Sequence, residues 1–320
     1  MAEKYYNPEQ KQRYIDSIDK LGDSLITLQG RYKKLFTNSM EEEEEKEKDL
    51  SDFSEKELLD LYACLGIGQP HVLRQVHFDV MNYIKWANIE HWKNIDLKMS
   101  DVMQHCSYVK FKNNILTREF LYKALSYAIT SEYYTPIKVV IVFAMFEGIG
   151  AKDGMEFFKL CKDDLKKEDD KYYAYLCTGR KLEISQELFN LCLECCDATK
   201  FAVKNGLSAK PIYYYYEPTN NVYKKRQANS TVETTERTLY IDTSMAIRKA
   251  CDALNIRRTT GKKLFASGFY EILKRDRPDL LADRRIEGKD AEFIAEISKR
   301  YDMTYRVTRT LITDYVDVFG

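Results

Sequence analysis

Apolar side chains recur along this chain mostly at the three- and four-residue spacing of amphipathic helices, and in two places at the spacing of strands. Over residues 8–37, Tyr14, Ile15, Ile18, Leu21, Leu25, Leu28 and Tyr32 mark one helical face, and Pro8 suits a first helical position behind Asn7. The run Glu41-Glu42-Glu43-Glu44-Glu45-Lys46-Glu47-Lys48-Asp49 offers nothing to bury and predicts a solvated linker or a helix end. Ser54 and Glu57 form a capping-box pattern that opens a helix over 55–64. Gly66-Ile67-Gly68-Gln69-Pro70 breaks it, and Pro70 starts the next helix, over 71–87. There Val72, Val76, Val80 and Ile84 are expected to be buried, with His71, Arg74, Gln75 and Lys85 facing outward. A third helix is predicted over 98–106.

Beyond residue 107 helices are predicted from Thr117, over 135–146 and over 151–161. A hairpin comes next, with strands 172–177 and 181–184 around Thr178-Gly179-Arg180. The pattern then predicts a helix over 186–204, a β-prone aromatic run at 212–216, a polar loop over 222–237, and helices over 243–254, 261–274, 290–301 and 304–318. No internal repeat is visible. The expected division is an N-terminal helix with acidic linker (1–50), a small helical unit (51–106) and a larger, mainly helical unit with a small sheet (107–320).

Composition agrees with helices: only six prolines and thirteen glycines in 320 residues, with 44% apolar side chains, describe a globular chain poor in tight turns. The longest apolar run, 137–146, is interrupted by Lys138 and is too short to span a bilayer, which takes about twenty apolar residues. The N-terminus lacks the apolar stretch of a signal peptide. Eight scattered cysteines form no disulfide framework, so a reducing cytoplasm is the expected setting.

Formal net charge is zero, but it is unevenly placed. Residues 1–60 hold 16 acidic and 10 basic side chains, a net −6, whereas residues 201–280 hold 15 basic and 8 acidic ones, a net +7. Attraction to phosphate depends on charge within a Debye length of about 10 Å, so the second half is permitted to bind nucleic acid. Cys192-Leu193-Glu194-Cys195-Cys196 lies in a helical pattern without a second ligand pair and reads as buried thiols rather than a metal site. Tyr213-Tyr214-Tyr215-Tyr216 has aromatic faces suited to single-stranded bases, but without adjacent cations it reads as a strand lining a core or interface. Gly148-Ile149-Gly150 is not followed by the Gly-Lys-Ser/Thr of a phosphate loop, and no hydrolase triad or cofactor motif is present.

The order of elements and several phrases resemble the tyrosine recombinases and phage integrases. Leu116-Thr117-Arg118-Glu119-Phe120-Leu121 looks like the opening of their catalytic domain. Val140-Ile141-Val142-Phe143-Ala144-Met145-Phe146-Glu147-Gly148-Ile149-Gly150 looks like the helix running into their Thr-Gly-Leu-Arg turn. Met155-Glu156-Phe157-Phe158-Lys159-Leu160 and Asp163-Asp164-Leu165 resemble the Glu-Leu-x-x-Leu and Asp-Ile that those enzymes carry after the turn. Lys181 sits near the hairpin turn, where they hold a lysine. The resemblance spans roughly 50–320 with loose motifs, and the whole pattern looks most like the lysogeny-maintaining repressors of SPbeta-type phages. It implies a mostly α, tyrosine-recombinase-like fold: a helical core-binding domain, then a mainly helical catalytic-like domain with a small β-hairpin.

The departures bear on chemistry. Strand exchange needs a tyrosine nucleophile within a cluster of arginines, a lysine and His or Trp positions, each worth about 10²-fold or more. No arginine lies between Arg118 and Arg180, the His-x-x-Arg region 260–266 has neither residue, and the four histidines, His71, His77, His91 and His105, all precede the catalytic-like part. Tyr301, Tyr305 and Tyr315 remain, with Tyr315 nearest the nucleophile position, but an unaided phenol of pKa about 10 is a poor nucleophile.

The resemblance therefore implies a DNA grip without catalysis: no enzyme, no cofactor and no metal, but a repressor of a phage in its bacterial host. Candidate DNA contacts are His71, Arg74, Gln75 and Lys85 in the small unit. In the larger unit they are Arg180, Lys181, Lys224, Lys225, Arg226, Arg257, Arg258, Lys262 and Lys263. Each is also an ordinary solvated side chain by composition alone. Self-association through Leu311, Ile312, Val316, Val318 and Phe319 is a further expectation. Three alternatives stay open: an active recombinase using Lys152, Lys262 or Lys263 in place of arginine, a helical interaction protein that ignores DNA, and a sequence-tolerant architectural binder.

Overall fold

The structure, a computed structural model, describes residues 5–18, 23–106, 108–204, 210–227, 236–283 and 288–319. By contacts the chain divides into two units, Met1–Lys112 with Val316–Gly320, and Asn113–Tyr315.

The first unit is helical: α1 (Pro8–Asp16), α2 (Asp23–Lys46), a 3₁₀ turn (Leu50–Asp52), α3 (Glu55–Cys64), α4 (Pro70–Ala87), α5 (Ile89–Asn94), α6 (Met99–His105) and α7 (Val109–Lys112). Two helices thus occupy the stretch read as one, and Leu21 and the side chain of Leu25 lie outside the described residues. Of the two readings of the acidic run, the helix end holds: α2 continues through it to Lys46. Glu43 is fully buried and bonded at 2.5 Å to the equally buried Lys11 Nζ of α1, with Ser39 Oγ and the Leu50 N–H also donating to it. A carboxylate can be buried when protein donors replace its water. Around this pair Tyr14, Tyr32, Phe36 and Tyr83 make edge-to-face contacts, such as Tyr14–Tyr32 at 4.9 Å and Phe36–Tyr83 at 4.8 Å between centroids.

Helix α4 buries only two of the four residues expected, Val80 and Ile84. Leu73, Val80, Tyr83 and Ile84 face the core, while Val72 is 40% exposed. Apolar residues occupy two faces of this helix, so periodicity alone leaves the choice open. The interior polar residue Asp79 is settled by Arg31, which donates to both carboxylate oxygens (3.0 and 2.6 Å), and by Gln75.

The second unit is built on α9 (Pro136–Phe146), preceded by α8 (Arg118–Ile129), whose N-cap Thr117 accepts from the Phe120 N–H. From Val139 to its end α9 is wholly buried, with α11, α12 and α13 packed on it. The helix read at 151–161 shrinks to α10 (Met155–Lys159), since Asp153 and Gly154 hold the chain in a turn and Leu160 is extended. Then come β1 (Leu165–Glu168), β2 (Lys171–Tyr175) and β3 (Lys181–Ile184), an antiparallel sheet in that order with Tyr172 opposite Ile184. Helix α11 (Gln186–Asp197) ends well before residue 204. The chain passes instead into β4 (Lys200–Val203), which pairs antiparallel with β5 (Ile212–Tyr215), Lys200 facing Tyr215. Phe201 and Val203 are strand formers, and the aromatic run supplies the partner. The rest is α12 (Glu236–Ala253), α13 (Gly261–Asp276), α14 (Pro278–Asp283), α15 (Ala291–Arg300) and α16 (Tyr305–Phe319). Among the described residues the fold is therefore mostly α, as the resemblance implied, with two small antiparallel sheets where one was expected.

Helix α13 crosses the C-terminal end of α9 at Gly268, where an added Cβ would coincide with the Phe146 carbonyl oxygen. Only glycine permits that approach. The Tyr301 hydroxyl donates to the same oxygen at 3.1 Å.

Candidate nucleic-acid interface

A helix ends with carbonyls that lack partners inside it, and cations near that end satisfy them. At the end of α9 the Arg300 guanidinium donates to Glu147 O (3.0 Å) and Glu183 O (2.8 Å), and Arg180 reaches Gly148 O (3.3 Å) and Arg300 O (2.5 Å). Arg180 also ion-pairs with Glu156, which is fully buried. Arg118 pairs at 3.2 Å with the buried Glu147 carboxylate, which accepts in addition from the Ser185 N–H at 2.7 Å and the Ser185 hydroxyl. Arg118, Arg275 and Arg300 line a polar cleft of about 410 Å³ together with Glu147, Glu183 and Glu271. The resemblance expects the first arginine in or just after Gly148-Ile149-Gly150, and there Gly150 stands at φ +85°, its N–H given to Glu156. A side chain at that φ would be strained.

Two of the sequence candidates in this unit are engaged within the fold. Arg180 is engaged by a carboxylate and two carbonyls rather than offered to solvent. Lys224 is buried, its Nζ donating to Cys196 O and Ala198 O (2.5 and 3.0 Å), so it ties β4's approach to the loop after β5. Lys181 is exposed, paired with Glu168 and lying 4.0 Å from the Tyr173 ring centroid; the Glu168 carboxylate raises its pKa.

Four candidates do come together. Thr260 caps α13, accepting from the Lys263 N–H, and the first turn of that helix carries no acid. Arg257, Arg258, Lys262 and Lys263 are all exposed around this N-terminus. Two of them have light partners, Asp252 for Arg258 at 3.3 Å and Asn114 for Lys263 at 3.0 Å. Cations beside a helix N-terminus suit phosphate oxygens. Arg248 and Lys249, exposed near the end of α12, add to the same positive stretch. They are absent from the sequence candidates, although the doublet lies within the +7 window. Lys225 and Arg226 are exposed near β5, and Arg226 stacks 3.6 Å over the Tyr214 ring.

In the first unit His71 and Lys85 are exposed, Lys85 lying 4.6 Å over the Trp92 ring. Arg74 and Gln75 are half-buried and engaged, Arg74 with Asp317 and Gln75 with Asp79. They do not form one exposed basic face with His71 and Lys85.

Tyr315 is fully buried and its hydroxyl donates to Ala266 O at 2.6 Å; burial pushes its pKa well up. Tyr301 is likewise buried and pushed up to about 12 by desolvation. Tyr305 is 45% exposed. Of the residues expected to mediate self-association, Ile312 and Val316 are buried within the chain, and Leu311, Val318 and Phe319 are half-buried. They are therefore not a free apolar face. Cys192, Cys195 and Cys196 are buried thiols, as read. Among the described residues no helix is long and apolar enough to cross a membrane.

Residues 5–90 match the family model described as MrpR, N-terminal core-binding domain, and residues 130–318 match that of MrpR, C-terminal catalytic domain. No curated protein matches the chain.

Proposed function

Since the chain belongs to the MrpR family, and so has a tyrosine-recombinase-like architecture, we propose that it is a sequence-specific double-stranded DNA-binding repressor that maintains phage lysogeny by occupying an operator without exchanging strands. The supporting observation is how the cations of the second unit are used. Arg118, Arg180 and Arg300 are turned onto buried carboxylates and carbonyls. Arg257, Arg258, Lys262 and Lys263 stand exposed at the N-terminus of α13. Charges of the second kind neutralise phosphates and fix register on a duplex. Charges of the first kind, already compensated, have little left for a developing phosphorane. The buried Tyr315 hydroxyl, pushed away from ionisation, points the same way.

Selection of bound fragments from the host and phage genomes, then footprinting, tests the reading: a repressor protects a defined site and lowers expression of an adjoining reporter. Uniform affinity for all duplexes would replace it with an architectural role, and indifference to DNA would end it. One feature favours a recombinase instead, namely that the matched family model is described as a catalytic domain. A suicide duplex that traps a phosphotyrosyl adduct would establish that second reading.

A further inference from the structure

The two-stranded β4–β5 sheet brings aromatic rings and cations together in a way the sequence order conceals. Tyr213 and Tyr215 are 52% and 60% exposed, and alternation along β5 puts both on one face. The register sets Lys200 opposite Tyr215, and its Nζ lies 5.1 Å from the Tyr213 ring centroid. On the other face the Arg226 guanidinium covers Tyr214 at 3.6 Å, and Lys138 lies 5.5 Å from the Phe201 ring. Lys204, Lys210 and Lys225 are exposed nearby in sequence. Residues 198–227 carry six basic side chains and one acidic one, Glu217. Five of the six basic ones are exposed, Lys224 being buried.

We propose that this face is a binding platform for unpaired nucleic-acid bases, with Tyr213 and Tyr215 stacking on successive bases of a single strand and Lys200, on the same face, holding its phosphates. A duplex keeps base faces inside its stack and shows a protein only edges, sugars and phosphates, so two exposed phenol rings gain little from it. A single strand offers both features the face provides, a π surface for each ring and a negative charge for each cation. Same-face side chains two residues apart on a strand stand about 6.7 Å from one another, which leaves each ring room for its own base. The inference goes beyond the duplex-binding reading and is independent of it: the proposed operator contacts lie at α13, in residues that this platform does not use.

The test is fluorescence anisotropy of a labelled oligothymidylate and of a labelled mixed-sequence duplex, each titrated with the full chain at two salt concentrations. The expected result is salt-dependent binding of the oligothymidylate. Replacing both Tyr213→Ala and Tyr215→Ala should weaken it by about tenfold or more. Tyr213→Phe with Tyr215→Phe should restore it, and duplex binding should be unchanged throughout. Both positions are exposed, and thermal melts of the variants confirm that the fold is kept. Failure of the wild-type chain to bind the oligothymidylate overturns the proposal, as does undiminished binding by the double alanine variant. Equal loss on the duplex would show that the platform serves the duplex, and a change in sedimentation on alanine substitution would show that it seats a second copy of the chain. Either result also overturns it.

Discussion

Arg180, at the turn of the β2–β3 hairpin, gives one guanidinium nitrogen to both oxygens of Glu156, at 3.0 and 2.8 Å, and the other to the carbonyls of Gly148 and Arg300. The sequence marks Arg180 as a basic loop residue; the fold uses it to close the end of α9. Breaking a buried pair by removing one partner leaves the other charge uncompensated. Glu156→Ala should therefore lower stability by about 3–5 kcal/mol in urea unfolding. A loss no larger than that of an exposed pair, under about 1 kcal/mol, would return Arg180 to the surface.

The Lys11–Glu43 pair makes a second, separable prediction. Burial lowers the Lys11 pKa and raises that of Glu43, so each is pushed toward its neutral form; their contact at 2.5 Å offsets this most, helped by Asp49 for Lys11 and by the Leu50 N–H and Ser39 hydroxyl for Glu43. Lys11→Met alone should cost about 3–5 kcal/mol, and Lys11→Met with Glu43→Leu distinctly less, by denaturant melts of the three variants. The double variant will not be free of cost, because the Ser39 hydroxyl and Leu50 N–H lose their acceptor.

His77 gives the pH dependence. Burial lowers its pKa from the ordinary 6.5, and its Nδ1 lies 2.9 Å from the Tyr62 hydroxyl. The unfolded chain therefore takes up this proton at a pH where the folded chain does not. The stabilisation is present above about pH 6.5 and is lost as pH falls through the folded value. Stability measured from about pH 7 down to 5 should fall less steeply in His77→Gln than in the parent.

Lysines of the second unit should separate into two classes. Lys262→Ala with Lys263→Ala should leave the melting temperature nearly unchanged, weaken duplex binding and flatten its salt dependence by about 0.9 log units per lost phosphate contact. Lys224→Ala should do the reverse, destabilising the fold by removing the donor to Cys196 O and Ala198 O. Anisotropy and thermal melts on the same preparations distinguish the classes.

The helices were legible where one apolar face and a clear cap coincide. Ser54 and Glu57 start α3, and Thr117 starts α8. The hairpin around Gly179 was legible from its turn residue. Features that stayed hidden depend on partners distant in sequence. Glu43 belongs to a helix because Lys11 is there to meet it, and β4 exists because β5 lies opposite. Charge showed where cations are dense but not which way they point: Lys224 and Lys225 are neighbours, one buried and the other exposed. For the candidate interface, the α13 cluster was found from charge and resemblance together. The cation–aromatic arrangement on β4–β5 required a register that local pattern does not carry.

The proposed repressor holds duplex DNA without cutting it, and incubation with a nicked suicide duplex built on its own selected binding site tests both halves of that statement at once. Footprint protection with no covalent protein–DNA species on a denaturing gel is the predicted result. A covalent species that disappears in Tyr315→Phe or Tyr305→Phe would contradict it.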